Sequence, residues 1–583
     1  MPEAVLTPLP TGGRSEPPQR RRSGGWRSAS GMFRSSSSDQ PFWTVLALGV
    51  AALMLLPVAG ICALALSSTN NEWPHLLSTV LPVAAWSTFV LVCGTGAVTL
   101  VVGTATAWLV TMYRFPGRAL FDRLLVLPLA IPTYIVAYCY VELLDFGGPV
   151  QSAVRSIGGF ATPRDYWFPD IRSQGGAIAV LSAVLYPYVY LTARASFVQQ
   201  SMCVLEVART LGQSSLGTFR RVALPLARPA LAAGCALVVM ETLNDLGAVQ
   251  YLGVETLSVS IYVTWLQRAN LPGATQIALV GLFAVVLVLV LERLARGDSR
   301  FHHTTGRYRA IAFQDIEGWR GYMAAAACAL PVIIGFAVPV VVLARHAITH
   351  AADAVADGFL PAAMNSILVA GAVAAVAVFL SLLLAYAGRV SSQRLVAVAL
   401  RTAGLGYALP GTVLAIGVLI PFAAFDNGID AFMRDRFGFG TGLILSGTIF
   451  ALVFALTTRF LTVALGNIEA GLQKVSPNLD AAARTLGETP FSALRRVHLP
   501  LLLPAMGAAG LLVFVDAMKE LPATLLLRPF NFETLATHVY GLTALEQFER
   551  AALGALAIVL VGLVPVLMLH RTISGSRPGS GSG

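Results

Sequence analysis

Residues 206–230 read EVARTLGQSSLGTFRRVALPLARPA, and residues 481–505 read AAARTLGETPFSALRRVHLPLLLPA. The two stretches align without a gap at a constant offset of 275 residues, and thirteen of the twenty-five aligned positions are identical. Chance does not produce an internal match of this length. The repeat predicts a chain built from two homologous halves.

The match extends beyond these stretches into the apolar segment that follows each of them. Glu241 and Asp245 correspond to Asp516 and Glu520 at the same offset. After a short insertion, the sequence ETL at 255–257 recurs at 533–535, and a tyrosine follows each copy at 262 and 540. Acidic residues therefore recur as matched pairs, one pair in each half.

The composition excludes a water-soluble fold. Of the 583 residues, 56% are hydrophobic and 12% are charged, whereas about a quarter of the residues of a soluble domain are charged. The formal net charge of +10 comes almost entirely from arginines that lie between apolar runs, a pattern of membrane topology and not of nucleic-acid binding. The six cysteines form no CxxC pair, so neither a disulfide framework nor a thiolate metal site is indicated.

Twelve segments are long and apolar enough to cross a hydrocarbon core of about 30 Å. The predicted spans lie near 42–67, 87–112, 124–144, 175–197, 229–252, 274–294, 321–344, 363–388, 397–421, 441–465, 503–526 and 551–570. We expect an all-α integral membrane protein with twelve transmembrane helices in two parallel, pseudo-symmetric six-helix halves, because an even number of spans per half gives both halves the same orientation. The expected divisions are a disordered cytoplasmic tail at 1–41, halves at 42–294 and 321–570, a cytoplasmic linker at 295–320, and a cytoplasmic tail at 571–583.

Arginine placement predicts the orientation. If the tail that carries Arg20, Arg21 and Arg22 is inside the cell, the loops after every second span are inside as well, and those loops hold most of the remaining arginines. Both termini are then cytoplasmic. The repeats lie in cytoplasmic loops between the fourth and fifth spans of each half.

Each repeat predicts a bent helical elbow. In the first copy, residues 204–211 can form a short helix, Gly212 supplies the break, and residues 216–222 can form a second turn or two. Pro225 and Pro229 are expected to end that turn and to open the next span.

The elbow sequence resembles the coupling-loop signature of ABC importer permeases, a glutamate-alanine-alanine motif followed by a glycine and, nine residues later, an I-x-L-P motif. The residues that carry the resemblance are Glu206, Ala208, Arg209, Gly212, Leu224 and Pro225 in the first copy, and Asp480, Ala483, Arg484, Gly487, Leu499 and Pro500 in the second. The second copy lacks the glutamate, and Asp480 stands one position earlier. In that family the elbow docks into a cleft on a cytoplasmic ATPase, so the resemblance implies two copies of an ABC ATPase as partners.

Three further stretches look like the fused ferric-iron permeases of bacterial inner membranes: IPTYIVAY at 131–138, QYLGVETL at 250–257 and KELPATLLLRP at 519–529. That resemblance implies an inner-membrane permease that moves ferric iron from the periplasm to the cytoplasm and works with a periplasmic substrate-binding protein. No P-loop occurs, so ATP and Mg are expected on the partner ATPases, with no cofactor bound by this chain and no enzyme activity of its own. Thiamine, sulfate or polyamine as cargo, and an ion-coupled secondary transporter, stay open as alternatives.

Acidic residues inside spans are costly and normally face a bundle interior or a water-filled path. The candidate path residues are Glu142, Glu241, Asp245, Asp516 and Glu520. Equally, these acids can pair with Lys519 or cap helix ends. Five tyrosines, Tyr134, Tyr138, Tyr186, Tyr188 and Tyr190, suit a hard cation but are more typical of packing or interfacial anchoring. His346 and His350 have helical metal-pair spacing without a third ligand, so the metal site stays unknown.

Overall fold

The computed structural model describes residues 40–66, 72–199, 210–296, 313–391 and 393–575. Within these residues the chain is almost entirely helical, and one pair of two-residue parallel strands, β1 (Tyr113–Arg114) and β2 (Gln314–Asp315), is present. Eleven helices in the described part are long and apolar enough to cross a membrane, or twelve if one bent pair counts as a single span. The all-α membrane fold predicted from the sequence is confirmed.

The helices of the first half are α1 (Gln40–Ala65), α2 (Trp73–Ser78), α3 (Val80–Met112), α4 (Arg118–Leu124), α5 (Thr133–Leu144), α6 (Pro149–Gly158), α7 (Gln174–Gln199), α8 (Ser215–Thr218), α9 (Leu224–Asn244), α10 (Gly247–Tyr251), α11 (Leu257–Tyr262) and α12 (Leu271–Arg296). Those of the second half are α13 (Trp319–Val332), α14 (Val338–Thr349), α15 (Ala351–Ala356), α16 (Phe359–Val390), α17 (Arg394–Ala403), α18 (Gly411–Phe437), α19 (Ile449–Gln473), α20 (Pro477–Thr485), α21 (Pro490–Ala493), α22 (Leu499–Met518), α23 (Pro522–Leu527), α24 (Leu535–Ala544) and α25 (Phe548–Gly575). Short 3-10 turns cover Leu127–Ala130 and Gly404–Ala408, and π-helical turns cover Phe219–Ala223, Val263–Gln267, Ile333–Ala337 and Leu494–His498.

Two predicted spans, 124–144 and 397–421, are wrong as continuous helices. The chain from Arg118 to Gly158 bends by 93° at its break near Pro132. Pro132 and Pro410 adopt nearly the same extended conformation, with φ and ψ of −58° and 144° at the first and −56° and 142° at the second. Proline has no N–H to donate and forces the residue before it away from the helical region, so both helices restart after it.

Two further predicted spans, 229–252 and 503–526, also break before their predicted ends. Helix α9 ends at Asn244 and α22 ends at Met518, and each is followed by a short separate helix, α10 or α23. Irregular backbone of this kind at membrane depth is tolerated where it is buried in protein or lines a cavity. The helices therefore end at the matched acids, several residues before the ends at 252 and 526 that the sequence predicts.

The first span of each half packs on the other half. Gly60 of α1 lies so close to α18 that an added Cβ would be 2.9 Å from Pro421, which shows tight contact between α1 and the second half. Gly335, at the π-helical turn between α13 and α14, would place a Cβ 2.2 Å from the Ala183 carbonyl oxygen on α7. Tyr140 of α5 donates a hydrogen bond to the Ile334 carbonyl oxygen at 2.7 Å. This reciprocal exchange ties the two halves together.

Matched hydrogen bonds support the two-fold relation. The Leu257 N–H donates to Thr88 Oγ1 at 3.0 Å, and the Leu535 N–H donates to Ser366 Oγ at 2.6 Å. Donors and acceptors in the two pairs are related by the same offset of 278 residues. The two halves thus share packing as well as sequence.

Candidate functional site

A polar cavity of about 130 Å³ lies between the two halves. The first half contributes Thr133, Tyr134, Tyr188, Glu241, Asn244 and Asp245, and the second contributes Tyr407, Arg459, Asp516, Lys519 and Glu520, among other lining residues. Four of the five candidate path acids predicted from the sequence therefore meet at one place. The broken ends of α9 and α22 bring them there.

Asp245 and Glu520 cap the short helices that follow them. Asp245 Oδ1 accepts hydrogen bonds from the N–H groups of Ala248 and Val249 at 3.0 and 3.1 Å. Glu520 accepts from the N–H groups three and four residues ahead, at 2.8 and 2.9 Å. The helix-capping reading of these acids holds for both halves, because carboxylates satisfy the free N–H groups at a helix start.

The cations of the cavity come from the second half alone. Arg459 Nη1 donates to Glu520 Oε1 at 3.0 Å, and the two side chains are 8% and 2% exposed. Lys519 Nζ lies 3.0 Å from Asp516 Oδ1. At the positions offset by 275, the first half has Val184 and Asn244, which carry no charge. The cavity thus combines symmetric acids with asymmetric cations, for a formal net charge of minus two.

Hydrogen bonds cross between the halves at the same place. Tyr407 Oη donates to Glu241 Oε1 at 3.1 Å, and the Gly411 N–H donates to Asn244 Oδ1 at 2.6 Å. A Cβ at Gly411 would lie 2.7 Å from Arg459 Nη1 and 2.8 Å from Glu520 Oε1, so the ion pair presses against that backbone. Within the first half, Thr133 Oγ1 donates to Asp245 Oδ2. These bonds fix both the acids and the contact between the halves.

Glu142 and the histidines lie elsewhere. Glu142 does not line the cavity but faces His346 on α14, whose Nε2 is 3.9 Å from Glu142 Oε1. His350 Nε2 is 3.3 Å from Glu549 Oε2. Among the described residues, no group of three or more His, Cys, Asp or Glu side chains is arranged to hold a metal ion.

Of the five tyrosines, Tyr134 and Tyr188 line the cavity. Tyr138 is buried and its ring meets the ring of Tyr134 edge-on, with 5.8 Å between the centroids. Tyr190 lies elsewhere and donates to Asp122 Oδ1 at 2.9 Å, beside the ion pair between Asp122 and Arg194. Sequence reasoning missed Tyr407 and Arg459. Arg459 was detectable, because it is an ionisable residue in the middle of the predicted span 441–465 and the rule applied to the acids covers it equally.

The two elbows share their turn geometry. Gly212 and Gly487 have φ of +81° and +79°, the left-handed region that glycine adopts without strain. The next turn is capped in both copies: Ser214 Oγ accepts from the Gly217 N–H at 3.1 Å and Thr489 Oγ1 accepts from the Ser492 N–H at 3.2 Å. The predicted bend at Gly212 is confirmed and Gly487 repeats it, whereas most of the predicted helix 204–211 lies outside the described residues.

The expectation that Pro225 ends the elbow helix is wrong. The chain is helical without interruption from Ser215 to Asn244, and Pro225 and Pro229 lie inside that stretch. The π-helical turn Phe219–Ala223 precedes Pro225, and the Leu224 N–H donates to the Phe219 carbonyl five residues back. The wider turn accommodates the proline ring and its missing N–H, which in a regular α-helix would cause a kink. The second copy repeats the arrangement before Pro500.

Asp480 anchors the second elbow internally. Its Oδ2 accepts from Arg389 Nε and Nη2 at 3.0 and 2.6 Å, and its Oδ1 lies 2.7 Å from Nε2 of the fully buried His498. Arg389 also donates to the Leu472 and Val475 carbonyls at the helix end before the elbow. Burial alone would raise the pKa of Asp480, but the hydrogen bonds from His498 and Arg389 outweigh it and lower that pKa. This clamp, Arg389–Asp480–His498, holds α20 against α16 and against the π-helical turn that precedes α22.

Apolar side chains project from both elbows. Leu211 and Leu486, next to the two glycines, are 76% and 82% exposed, and Leu216 and Phe491, at the next matched position, are 57% and 65% exposed. Exposed apolar residues therefore occur at matched positions on the surface of the two elbows. Of the other predicted coupling residues, Glu206, Ala208 and Arg209 lie outside the described residues.

The remaining predicted coupling residues sit around that surface. Ala483 is buried and Arg484 is exposed on α20. Leu224 and Leu499 are partly buried and pack against the core where α9 and α22 begin.

Comparison with known proteins places the chain among transport permeases. Residues 99–297 match the family described as binding-protein-dependent transport system inner membrane component. The chain is 27% identical over 486 residues to the Fe(3+)-transport system permease protein FbpB 2 of Haemophilus influenzae, covering 82% of this chain and 88% of the relative. It is 31% identical over 252 residues to the sulfate transport system permease protein CysT of Salmonella typhimurium, covering 42% of this chain and 86% of the relative. It is 28% identical to the putative 2-aminoethylphosphonate transport system permease protein PhnU of Salmonella choleraesuis, covering 43% of this chain and 91% of the relative.

Proposed function

The chain belongs to the binding-protein-dependent transport system inner membrane components and is a multi-pass permease of an ABC importer, and from this premise we propose that its cargo is ferric iron. The observation that carries the proposal is the cavity between the halves, where four carboxylates and the phenols of Tyr188 and Tyr407 converge. Hard oxygen donors of this kind suit a hard, highly charged cation. The similarity to a relative named for Fe(3+) transport over most of both chains supports the same cargo.

The charge of the cavity favours a cation. Arg459 and Lys519 are each paired with an acid, Glu520 and Asp516, whereas neither Glu241 nor Asp245 has a cation within ion-pair distance among the described residues. The charges of these two acids are therefore not offset by a close cation of the described chain, and Glu241 has one carboxylate oxygen that Tyr407 does not bond. We propose that they act as transient contacts during transport, and not as a resident metal site.

An oxyanion is the second candidate cargo. Arg459 and Lys519 line the same cavity, and relatives named for sulfate and 2-aminoethylphosphonate transport resemble one half of this chain. An anion would have to compete with Glu520 and Asp516 for these cations. Because the pairs are already formed at 3.0 Å, this cargo fits the cavity less well.

Two ATPases are proposed as the motor. The matched exposed side chains of the elbows, Leu211 and Leu216 in one half and Leu486 and Phe491 in the other, form one docking surface per half. We propose that one copy of a cytoplasmic ABC ATPase, with ATP and Mg, binds each elbow, and that a periplasmic substrate-binding protein delivers the cargo. Both termini are then cytoplasmic, on the side of the elbows. ATP is hydrolysed on those partners and not on this chain.

The test is uptake into vesicles that hold the purified chain, its ATPase and its binding protein, with ATP on the ATPase side. Labelled ferric iron and labelled sulfate are compared. We expect ATP-dependent iron uptake that needs all three components, a loss of at least tenfold in the Glu241→Gln variant, and little change in the Glu142→Gln control, whose acid lies outside the cavity. Sulfate uptake without iron uptake would overturn the cargo, and iron uptake unaffected by Glu241→Gln would overturn the role of the cavity.

A further inference from the structure

A groove of about 1470 Å³ opens on the outer surface where α13 of the second half lies beside α3 and α9 of the first half, away from the central cavity. Its walls are one face of α3, the start of α9 with the preceding π-helical turn, and α13 with the strand before it. Residues from Leu100 on α3 to Tyr113 just after it line the groove, a length of about 20 Å at 1.5 Å per residue. This length matches the thickness of one leaflet of a lipid bilayer and exceeds the size of a small solute.

The groove is apolar at one end and cationic at the other. Leu100, Val101, Leu231 and Cys235 line the end nearer the middle of the spans. The end beside the elbow is lined by three arginines and two acids: Arg220, Arg228, Arg320, Asp315 and Glu317. A groove with an apolar wall and a charged rim fits an amphiphilic ligand, which has an apolar tail and a charged head.

The arginines of the rim have no anionic partner among the described residues. The charge of Asp315 is offset by Arg114, whose Nε lies 3.8 Å from its carboxylate. Glu317 is then the one remaining acid that lines the groove together with the three arginines. Arg228 lies a turn inside α9, within an apolar span, and is exposed. A long arginine side chain near the end of a span can reach the headgroup region, where the phosphates of lipids are the anions within reach.

The arginine inside the span is not repeated at the matched position. The position that matches Arg228 is Leu503, which is 59% exposed and apolar, whereas Arg220 is matched by Arg495. Arg228 is therefore not required by the coupling geometry that the two halves share.

We propose that this groove binds an anionic phospholipid, with its acyl chains along α3 and α9 and its phosphate at Arg220, Arg228 and Arg320. Three guanidinium groups against one acid complement an anionic headgroup, and guanidinium binds phosphate through paired hydrogen bonds. The charged end of the groove places the lipid in the leaflet on the side of the elbows. By the proposed orientation this is the cytoplasmic leaflet. The binding itself does not depend on the cargo or on the ATPases.

The test is native mass spectrometry of the purified chain in detergent, with added phosphatidylglycerol or phosphatidylcholine of identical acyl chains. We expect the first phosphatidylglycerol to be retained at least tenfold more tightly than phosphatidylcholine. Arg228→Leu, which copies the second half, and Arg320→Gln, on a different helix, should each reduce that preference at least fivefold. Arg221→Gln is the matched control, because Arg221 is a neighbouring exposed arginine that bonds Gln213 at 3.2 Å and does not line the groove.

Three outcomes would overturn the proposal. Equal retention of the two lipids would show a nonspecific apolar surface. A preference that survives both variants would place the anionic lipid elsewhere. Displacement of the lipid by inorganic phosphate at millimolar concentration would show a site for a free anion. Iron uptake can fail in the earlier experiment without affecting any of these results.

Discussion

Glu520 and Asp245 occupy matching positions and cap matching helices, yet they differ in one contact. Glu520 is paired with the buried Arg459 at 3.0 Å, and Asp245 has no cation partner among the described residues. Replacing each acid by its amide, Glu520→Gln and Asp245→Asn, therefore separates the cost of losing a charge pair from the cost of altering a cap.

The expected magnitudes follow from the hydrogen bonds. In Asp245→Asn the amide oxygen can still accept from Ala248 and Val249, and the amide N–H₂ faces Thr133, whose hydroxyl can turn to accept. The loss should be about 1 kcal/mol, the size of one altered neutral hydrogen bond. The asparagine thus keeps the cap.

Glu520→Gln is expected to be more damaging for two reasons. Both carboxylate oxygens of Glu520 accept from donors, one from Arg459 and the Ala523 N–H and the other from Thr524, so the amide N–H₂ must meet a donor on one side. The buried guanidinium also loses its counter-charge. Breaking one side of a buried ion pair costs about 3 to 5 kcal/mol.

The assay is unfolding of the purified variants in mixed micelles of increasing SDS fraction, followed by circular dichroism. We expect Glu520→Gln to lose about 3 kcal/mol more than Asp245→Asn. The double variant Arg459→Met with Glu520→Gln should recover at least half of that difference, because no uncompensated charge remains. Equal losses in the two single variants, or no recovery in the double variant, would refute the reasoning.

Three further predictions concern the second elbow. Gly487→Val should cost about 1 to 2 kcal/mol locally, because φ is +79° there, and should reduce ATP-driven transport while leaving insertion intact; Gly428→Val, at an open helical position, is the control, and normal transport in Gly487→Val would contradict the role of the bend. The lowered pKa of Asp480 means that its charged contacts are fully present above the ordinary value of 3.8 and are lost as the pH falls through the lower pKa of the folded chain. The protection factors for hydrogen exchange at 477–485, each taken against the intrinsic rate at the same pH, should therefore stay constant from pH 7 to pH 4 in the parent chain and be much smaller at pH 7 in Asp480→Asn; a fall in protection between pH 7 and 5 in the parent chain would contradict this. Leu486→Asp should weaken ATPase binding at least tenfold in a sedimentation assay. The leucine side chain is 82% exposed in this chain, so it gains the free energy of burial only when the ATPase covers it, and an aspartate would lose that gain. Unchanged binding would remove this residue from the docking surface.

Much of the architecture could be predicted from periodicity, hydropathy and the repeat. Span number, two parallel halves and the glycine bends follow from local signals, since a run of apolar residues must form a helix in lipid and a left-handed turn selects glycine. The span ends were predicted less well. Hydropathy does not register the breaks after Pro132 and Pro410 or at the matched acids, because short apolar helices resume on the far side of each break.

The candidate site divides in the same way. The sequence by itself determined that Glu241, Asp245, Asp516 and Glu520 are costly in lipid and are matched between the halves, which is enough to predict a shared interior. Only the tertiary structure decided that they share one cavity with Tyr407 and Arg459, that Glu142 does not join them, and that Asp480 faces inward to Arg389 and His498. These contacts join residues tens to hundreds of positions apart. The local sequence determines which helix a side chain lies on and how costly its charge is in lipid. Only the packing of the helices determines which neighbouring side chain pairs with that charge.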